Sequence, residues 1–294
     1  MDVMVFTRQW NGVGRIVVWA ALWAAGFAHV PGCTTARPMG TGPEVSRAPE
    51  PVDAIGPLKV VSWNIRGYPE RHASDTAWIH QQLALWCPDV VCVQEIANRD
   101  RVTSFCSNDA RLKTVAFLDS RDGMDNAIFT STAVALYDLP DPEGFQHPAQ
   151  VALVCSGGFD AVVITVHLSW SNVARREQEM ALLRGIARDM AQHDPDVMLV
   201  GDFNLKEAQI AELARELGMV VLVPAGQDGV GTTHAGNRYD HFVVSLDLAE
   251  EEAAGHAARI ITFEGPDLSV ARTVSDHLPI QASFSRAERY RDRP

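Results

Sequence analysis

The sequence predicts an α/β protein in which two mixed sheets pack face to face and carry helices on their outer sides. Three observations predict it. Short apolar runs rich in β-branched residues recur from Leu58 to Phe284 and outnumber the segments with helical spacing. Some of them, such as Val90–Ile96 and Val197–Val200, are apolar without alternation, as in strands covered on both faces. The helical segments do not alternate regularly with the strands, which argues against a single parallel βαβ array. A chain of 294 residues with 47% hydrophobic content can build the core of one such domain.

The N-terminus reads as separate from that domain. Arg8 and Arg15 precede an uncharged stretch, Ile16 to Gly32, rich in Val, Ala, Leu and Trp. A basic start, an apolar centre and small residues after it are the pattern of a secretory signal. The stretch ends Val30-Pro31-Gly32-Cys33, which resembles a bacterial lipobox with an unusual proline. Residues 1–32 are therefore expected to be a signal peptide of the lipoprotein type, with a cleaved signal without lipid or an uncleaved anchor as the alternatives. Cys33 would carry a lipid anchor to the membrane, on a protein exported to a bacterial cell envelope or secreted. Residues 33–56, with Pro38, Pro43, Pro49 and Pro51, read as a flexible tether.

The domain is expected over 57–285. Leu58–Ile65 reads as a strand. Ser74–Trp86 has helical spacing, with Ser74 or Asp75 as N-cap. Val90–Ile96 is a buried strand, and shorter strands follow near 113–118, 126–131 and 133–138. Val151–Cys155 and Ala161–Leu168 flank Ser156-Gly157-Gly158, a hairpin signal. Asn172–Gln192 is a long amphipathic helix. Val197–Val200 is a strand ending in Gly201, and Lys206–Leu217 a helix closed by Gly218. Strands return near 219–223, 240–245, 258–263 and 277–284, and 286–294 reads as a disordered tail. With Cys33 set aside, Cys87, Cys92, Cys106 and Cys155 allow three disulfide pairings. The favoured one is Cys106–Cys155. Cys92 reads as a buried thiol.

Several apolar strands finish on polar residues: Asn64, Glu95, His167, Asp202 with Asn204, Asp240, and Asp276 with His277. Burying such groups without partners costs about 2–7 kcal/mol each for neutral ones and more for charges. They need one another, a metal or water, so they point to a site at a sheet edge. The formal net charge of -12 argues against a strongly basic nucleic-acid-binding surface. It does not exclude a nucleic-acid substrate, because a bound metal supplies local positive field.

In order, Val61-Ser62-Trp63-Asn64-Ile65, Val93-Gln94-Glu95-Ile96, Val166-His167-Leu168, Gly201-Asp202-Phe203-Asn204, Tyr239-Asp240 and Ser275-Asp276-His277-Leu278-Pro279 resemble the successive signatures of the endonuclease/exonuclease/phosphatase superfamily. No single motif is specific, but the ordered set covers roughly residues 58–284. The resemblance implies a four-layer α/β sandwich and a Mg²⁺- or Mn²⁺-dependent phosphoesterase. It implies that Glu95 binds the metal with help from Asn64, both hard oxygen donors, and that Asp276 sits at the metal's edge. Asp202 would orient or deprotonate the attacking water, and Asn204 would bind phosphoryl oxygens. His277 would contact the scissile phosphate or act as a base, oriented by Asp240. His167 would be a second acid/base, as in the pancreatic-type deoxyribonucleases and bacterial sphingomyelinases that the chain resembles there.

Each residue also has a structural reading. Asn64 can cap a strand end, Asp202 and Asn204 can form an Asx turn, and His167 can be a core imidazole. Arg175, Arg176, Glu177 and Gln178 can buttress the site or form a solvated helix face. The leading functional expectation is an exported nuclease hydrolysing a phosphodiester, as a monomer. The substrate would be nucleic acid or a phospholipid head group. Sphingomyelinase-like or phosphoinositide phosphatase activity is the alternative, and an inactive binding lipoprotein a further one. Substrate choice is expected in the loops within 97–125 and 224–238.

Overall fold

The computed structural model describes residues 9–11, 15–17, 56–68, 73–109, 111–120, 123–131, 133–137, 144–222, 224–225, 230–252 and 258–286. The expected lipidation site Cys33, most of the signal segment, the tether up to Ile55 and residues 287–294 lie outside them. Near the N-terminus, β1 (Gln9–Asn11) pairs antiparallel with β2 (Arg15–Val17) as a separate ladder.

The domain proper is two mixed sheets. One has seven strands in the order β12-β14-β15-β3-β4-β6-β5: Pro224–Ala225, Ala258–Ile260, Ile280–Phe284, Leu58–Tyr68, Val90–Ile96, Asp125–Thr130 and Lys113–Phe117. The other has six in the order β11-β13-β10-β9-β8-β7: Met219–Leu222, Asp240–Ser245, Val197–Asp202, Phe159–His167, His147–Ser156 and Ala133–Tyr137. At the centre of each, one parallel pair, β3–β4 and β9–β10, is flanked by antiparallel neighbours. The two-sheet architecture expected from the strand census is the one observed.

The strands alternate between two interiors. Ala161 and Val163 of β9 and Met198 and Val200 of β10 join the same cluster as Val60, Val91 and Val93 of the opposite sheet. Val162 and Ile164, with Val197 and Leu199, turn outward against Leu183 of α3 (Val173–His193) and Ile210 and Leu213 of α4 (Glu207–Leu217). Strands covered on both faces explain the continuous apolar runs. On the other sheet lie α1 (Ala73–Trp86), α2 (Arg99–Asn108) and α5 (Gly265–Val274). There Trp63 of β3 meets Trp78 and Trp86 of α1, with ring centroids 6.1 and 5.9 Å apart.

Several expectations need correction. Helix α1 begins at Ala73, so Ser74 and Asp75 lie in its first turn and do not cap it. Helices α2 and α5 were not expected. α2 reads RDRVTSFCSN, in which Val102 and Phe105 are the buried residues, too few for a visible period. Its cap is legible in retrospect, because the Asn98 side chain accepts from the Arg101 N–H. α5 carries Pro in its first turn. Cys106 keeps its thiol, so the favoured Cys106–Cys155 bridge is not formed; Cys92 is buried, as expected. Arg286, assigned to the tail, belongs to the fold. It is buried, pairs with Asp89 at 2.7 Å, donates to the Gly56 carbonyl at 3.0 Å and also bonds Ser156 Oγ.

One glycine is decisive for the site. Gly201 has φ 137°, and a β-carbon there would lie 2.1 Å from the Val166 carbonyl oxygen. Only glycine lets β10 lie this close to β9 and set Asp202 beside His167, its register partner.

Candidate active site

The parallel strands β3, β4, β9 and β10 all run toward one edge of the sandwich, and the site stands there. Asn64 lies on β3, Glu95 near the end of β4, and His167 and Asp202 at the ends of β9 and β10. β13 and β15 run the opposite way, so Asp240 opens β13 opposite Asp202, and Asp276 and His277 just precede β15. Register shifts in the β3–β4 and β4–β6 ladders fall beside Glu95, whose φ is 62°. That left-handed value breaks the strand's alternation and costs of order 1 kcal/mol for a residue with a β-carbon. Asn204 is left-handed too, with φ 50°, a conformation asparagine accepts through local hydrogen bonds.

The side chains form one network across the two sheets. Asn64 Nδ2 donates to Glu95 Oε1 at 3.0 Å and to Asp202 Oδ2 at 3.2 Å. Asp202 Oδ1 accepts the Asn204 backbone N–H at 3.0 Å, and Asn204 Nδ2 donates to the Leu168 carbonyl at 2.8 Å. His277 Nδ1 is 2.8 Å from Asp240 Oδ2, and its Nε2 is 3.5 Å from Asp202 Oδ2. His167 Nε2 stands 3.8 Å from Asp202 and 3.9 Å from Glu95. All eight residues singled out by sequence therefore gather at this edge. Asp276 is the outlying member: its side chain is 60% exposed and meets Arg66 at 3.6 Å on the rim.

Electrostatics separate the groups into two kinds. Burial raises the Glu95 carboxyl above its ordinary range; the Asn64 hydrogen bond lowers it and the Asp202 charge raises it again. Asp202 is raised as well, by burial first, with His277 opposing. Burial alone would lower His277, but Asp240, Asp202 and Asp276 outweigh it and push the imidazole up to about 10. The surrounding carboxylates thus favour the charged form of His277, which is hydrogen-bonded to Asp240.

The donors fit a divalent cation. Asp202, Asp240 and His277 have ligand atoms within 4.8 Å of one another. His277 Nδ1 and Asp240 Oδ2 engage each other, and the Asn64 amide draws the carboxylates of Glu95 and Asp202 together as the further oxygen donors beside them. Two carboxylates withdrawn from water cost several kcal/mol each unless a cation offsets them, and hard oxygens suit Mg²⁺ or Mn²⁺. Asn64 turns its amide nitrogen toward both carboxylates, while its oxygen accepts the Arg66 N–H at 3.0 Å. In this arrangement it orients ligands.

Sequence reasoning missed the groups that hold this network. Thr232 Oγ1 accepts the N–H groups of Tyr239 and Asp240, fixing the start of β13. Ser275 Oγ donates to the Asn64 carbonyl at 2.6 Å and accepts the His277 N–H. His147 stacks on His167 at 4.4 Å with 13° between the planes. Glu179 is fully buried and accepts the Ser169 and Gln146 N–H groups at 2.7 Å each. It lies one residue beyond the helix-opening group considered from sequence. Its signal was a carboxylate on the apolar face of α3.

Two stacked mixed sheets with carboxylates, amides and imidazoles gathered at one edge define a phosphoesterase of the α/β-sandwich kind. The chain belongs to the endonuclease/exonuclease/phosphatase family, whose model matches residues 61–277. Members of that family are divalent-metal-dependent phosphoric ester hydrolases. Solved structures agree on the fold. TDP2 of D. rerio, complexed with single strand DNA product, has a TM-score of 0.59 at 20% identity over 78% of this chain and 98% of that one. The mannosyl-6-phosphatase Bt3783 of Bacteroides thetaiotaomicron has 0.58 at 14% identity, over 77% and 99%. The endonuclease domain of TRAS1, a telomere-specific non-LTR retrotransposon, has 0.57 at 15% identity, over 79% and 100%. A search of curated proteins finds no significant match.

Proposed function

We propose that the chain is a metal-dependent phosphodiesterase that hydrolyses a phosphodiester by in-line attack of water, acting as a nuclease. The observation that carries this reading is the pairing of two opposite groups around one space: a buried carboxylate, Asp202, and a buried imidazolium, His277, 3.5 Å apart. One is suited to take a proton and the other to give one. A cation bound by Glu95 and Asp202, with Asn64 orienting them, would supply positive charge for the phosphoryl oxygens. Asp202 would orient the water and accept its proton, with its own Oδ1 fixed by the Asn204 N–H. His277 would hold a phosphoryl oxygen or protonate the leaving oxygen, and Asp240 would keep its ring oriented and charged. Asn204 would bind phosphoryl oxygens, although its amide nitrogen is engaged by the Leu168 carbonyl, so it would do so only after that bond exchanges.

The nuclease reading draws support from TDP2 with its DNA product and from the TRAS1 endonuclease domain. A phosphomonoesterase is the second reading, favoured by the likeness to a mannosyl-6-phosphatase. The test is a panel of plasmid DNA, single-stranded oligonucleotides, RNA, sphingomyelin, phosphoinositides and mannose 6-phosphate, each with Mg²⁺ or Mn²⁺ and with EDTA. Cleavage of a nucleic acid that EDTA abolishes is expected. Full activity in EDTA would sink the metal mechanism, and release from monoesters alone would replace the nuclease.

We also propose that the protein is exported and membrane-anchored through lipid on Cys33, from the basic, apolar and small-residue order of residues 1–33. Mass spectrometry of protein from a bacterial host is expected to find a chain starting at a lipid-modified Cys33. An intact Met1 would reject it.

A further inference from the structure

Trp170 is exposed, with 63% of its surface open, yet its backbone is tightly held. Arg176 Nη1 donates to the carbonyls of Ser169 and Trp170, each at 2.7 Å. The buried Glu179 carboxylate takes the Ser169 N–H. Two helix α3 side chains therefore fix the loop that presents an indole to solvent. A single exposed ring is ordinary, but Trp170 is held against a second ring, Tyr239, on a loop fixed by α3, and a paired aromatic surface of this kind offers a ligand a stacking face.

Its position says which ligand. Trp170 follows the end of β9 by a few residues, and its ring meets that of Tyr239 edge-on with centroids 5.7 Å apart. Tyr239 directly precedes Asp240 of the network, and β10, with Asp202, lies between β9 and β13. The two rings thus arch across the exit of the strand that carries Asp202. Beside Tyr239 a cleft of about 460 Å³ is lined by Lys206, Val230, Asn237 and Arg238. Arg238 pairs with Glu207 at 2.8 Å, so the cleft keeps a net positive charge from Lys206.

An aromatic face next to a cationic cleft, at the rim of a phosphoester site, matches a planar base flanked by a further phosphate. A choline head group would also favour the rings, but the Lys206 ammonium would repel it. We propose that Trp170 and Tyr239, with Lys206 beside them, form a subsite for an unpaired nucleobase next to the scissile phosphate, selecting single-stranded nucleic acid. Base faces are open to stacking only when they are unpaired. The inference rests on the nuclease reading.

The test compares a single-stranded thymidylate oligomer with an abasic oligomer of the same phosphate count, using wild type, Trp170→Ala and Trp170→Phe of matched melting temperature. Trp170→Ala should lower kcat/KM on thymidylate by about tenfold or more, the usual worth of one stacked base. It should leave the abasic oligomer unaffected, and Trp170→Phe should recover most of the loss. Equal losses on both oligomers, or no loss on either, would overturn the subsite while leaving the nuclease standing. A loss confined to a phosphocholine ester would reassign it to a lipid head group. Wild type that cleaves neither oligomer would remove the nuclease reading and the subsite with it.

Discussion

Asp202→Asn should lower kcat by about 10⁴-fold, the upper end of what a positioned acid or base contributes, in a protein that stays folded. The expectation follows from what Asp202 touches. Its two oxygens meet the Asn204 N–H, the Asn64 amide and, at 3.5 Å, the His277 ring. Asparagine keeps the size but cannot accept a proton from water or give a cation a full charge. Stability should move the other way. A carboxyl whose folded pKa is raised destabilises the fold, and the penalty grows as pH rises from its unfolded value toward its folded one. At neutral pH in EDTA the variant should therefore melt at or above wild type. Added Mg²⁺ or Mn²⁺ should raise the wild-type melting temperature and the variant's much less. A folded variant that retains kcat would remove Asp202 from the proton-transfer role.

His277→Ala should cost about 10²- to 10⁴-fold in kcat, and Asp240→Asn should act through the same ring. If Asp202 must be ionised, the rate rises with pH through its titration. If His277 must be protonated, the rate falls as pH rises through that of the imidazole. Asp240 is the first of the charges that hold the imidazole up against burial. Removing it should slide the alkaline limb of kcat toward neutrality at a fixed metal concentration. An unmoved limb would mean that another group sets it. His167 is the comparison. Its Nε2 is too far from either carboxylate for a hydrogen bond in this arrangement, so its acid/base role needs substrate to draw it in. His167→Asn should cost about 10²-fold if it takes that role. Near-normal kcat would leave His277 as the one catalytic imidazole and would count against a deoxyribonuclease-like mechanism.

Much of this was legible in the sequence because the chemistry stands at the ends of apolar strands. A run such as Val90–Ile96 has no reason to contain Glu95 unless the carboxylate has a partner, and the ordered motifs named that partner's surroundings. The helices with two-sided or weak periodicity were not legible. α2 rests on two buried side chains, and α5 is short and begins at a proline. The supports of the site were harder still. Thr232, Ser275 and Glu179 act through backbone N–H and carbonyl groups, which no residue-type pattern reveals. His147 could be met only through strand pairing, since it lies beside His167 across β8 and β9. The loops expected to choose substrate turned out to be partly a helix and strands. The exposed ring at the rim sits in a different segment, just past His167.

The clamp made by Arg286 has a practical consequence. It joins the last described residue to Gly56, the first of the domain, so the two ends of the described domain meet at one pole. That pole carries the starts of β3 and β9, and the reaction centre lies at their finish. From Leu58 to Asn64 an extended strand covers roughly 20 Å. The domain therefore has a handle and a working end. A surface coupled at the Gly56–Arg286 pole would hold the domain by the handle and leave the site edge facing away from it.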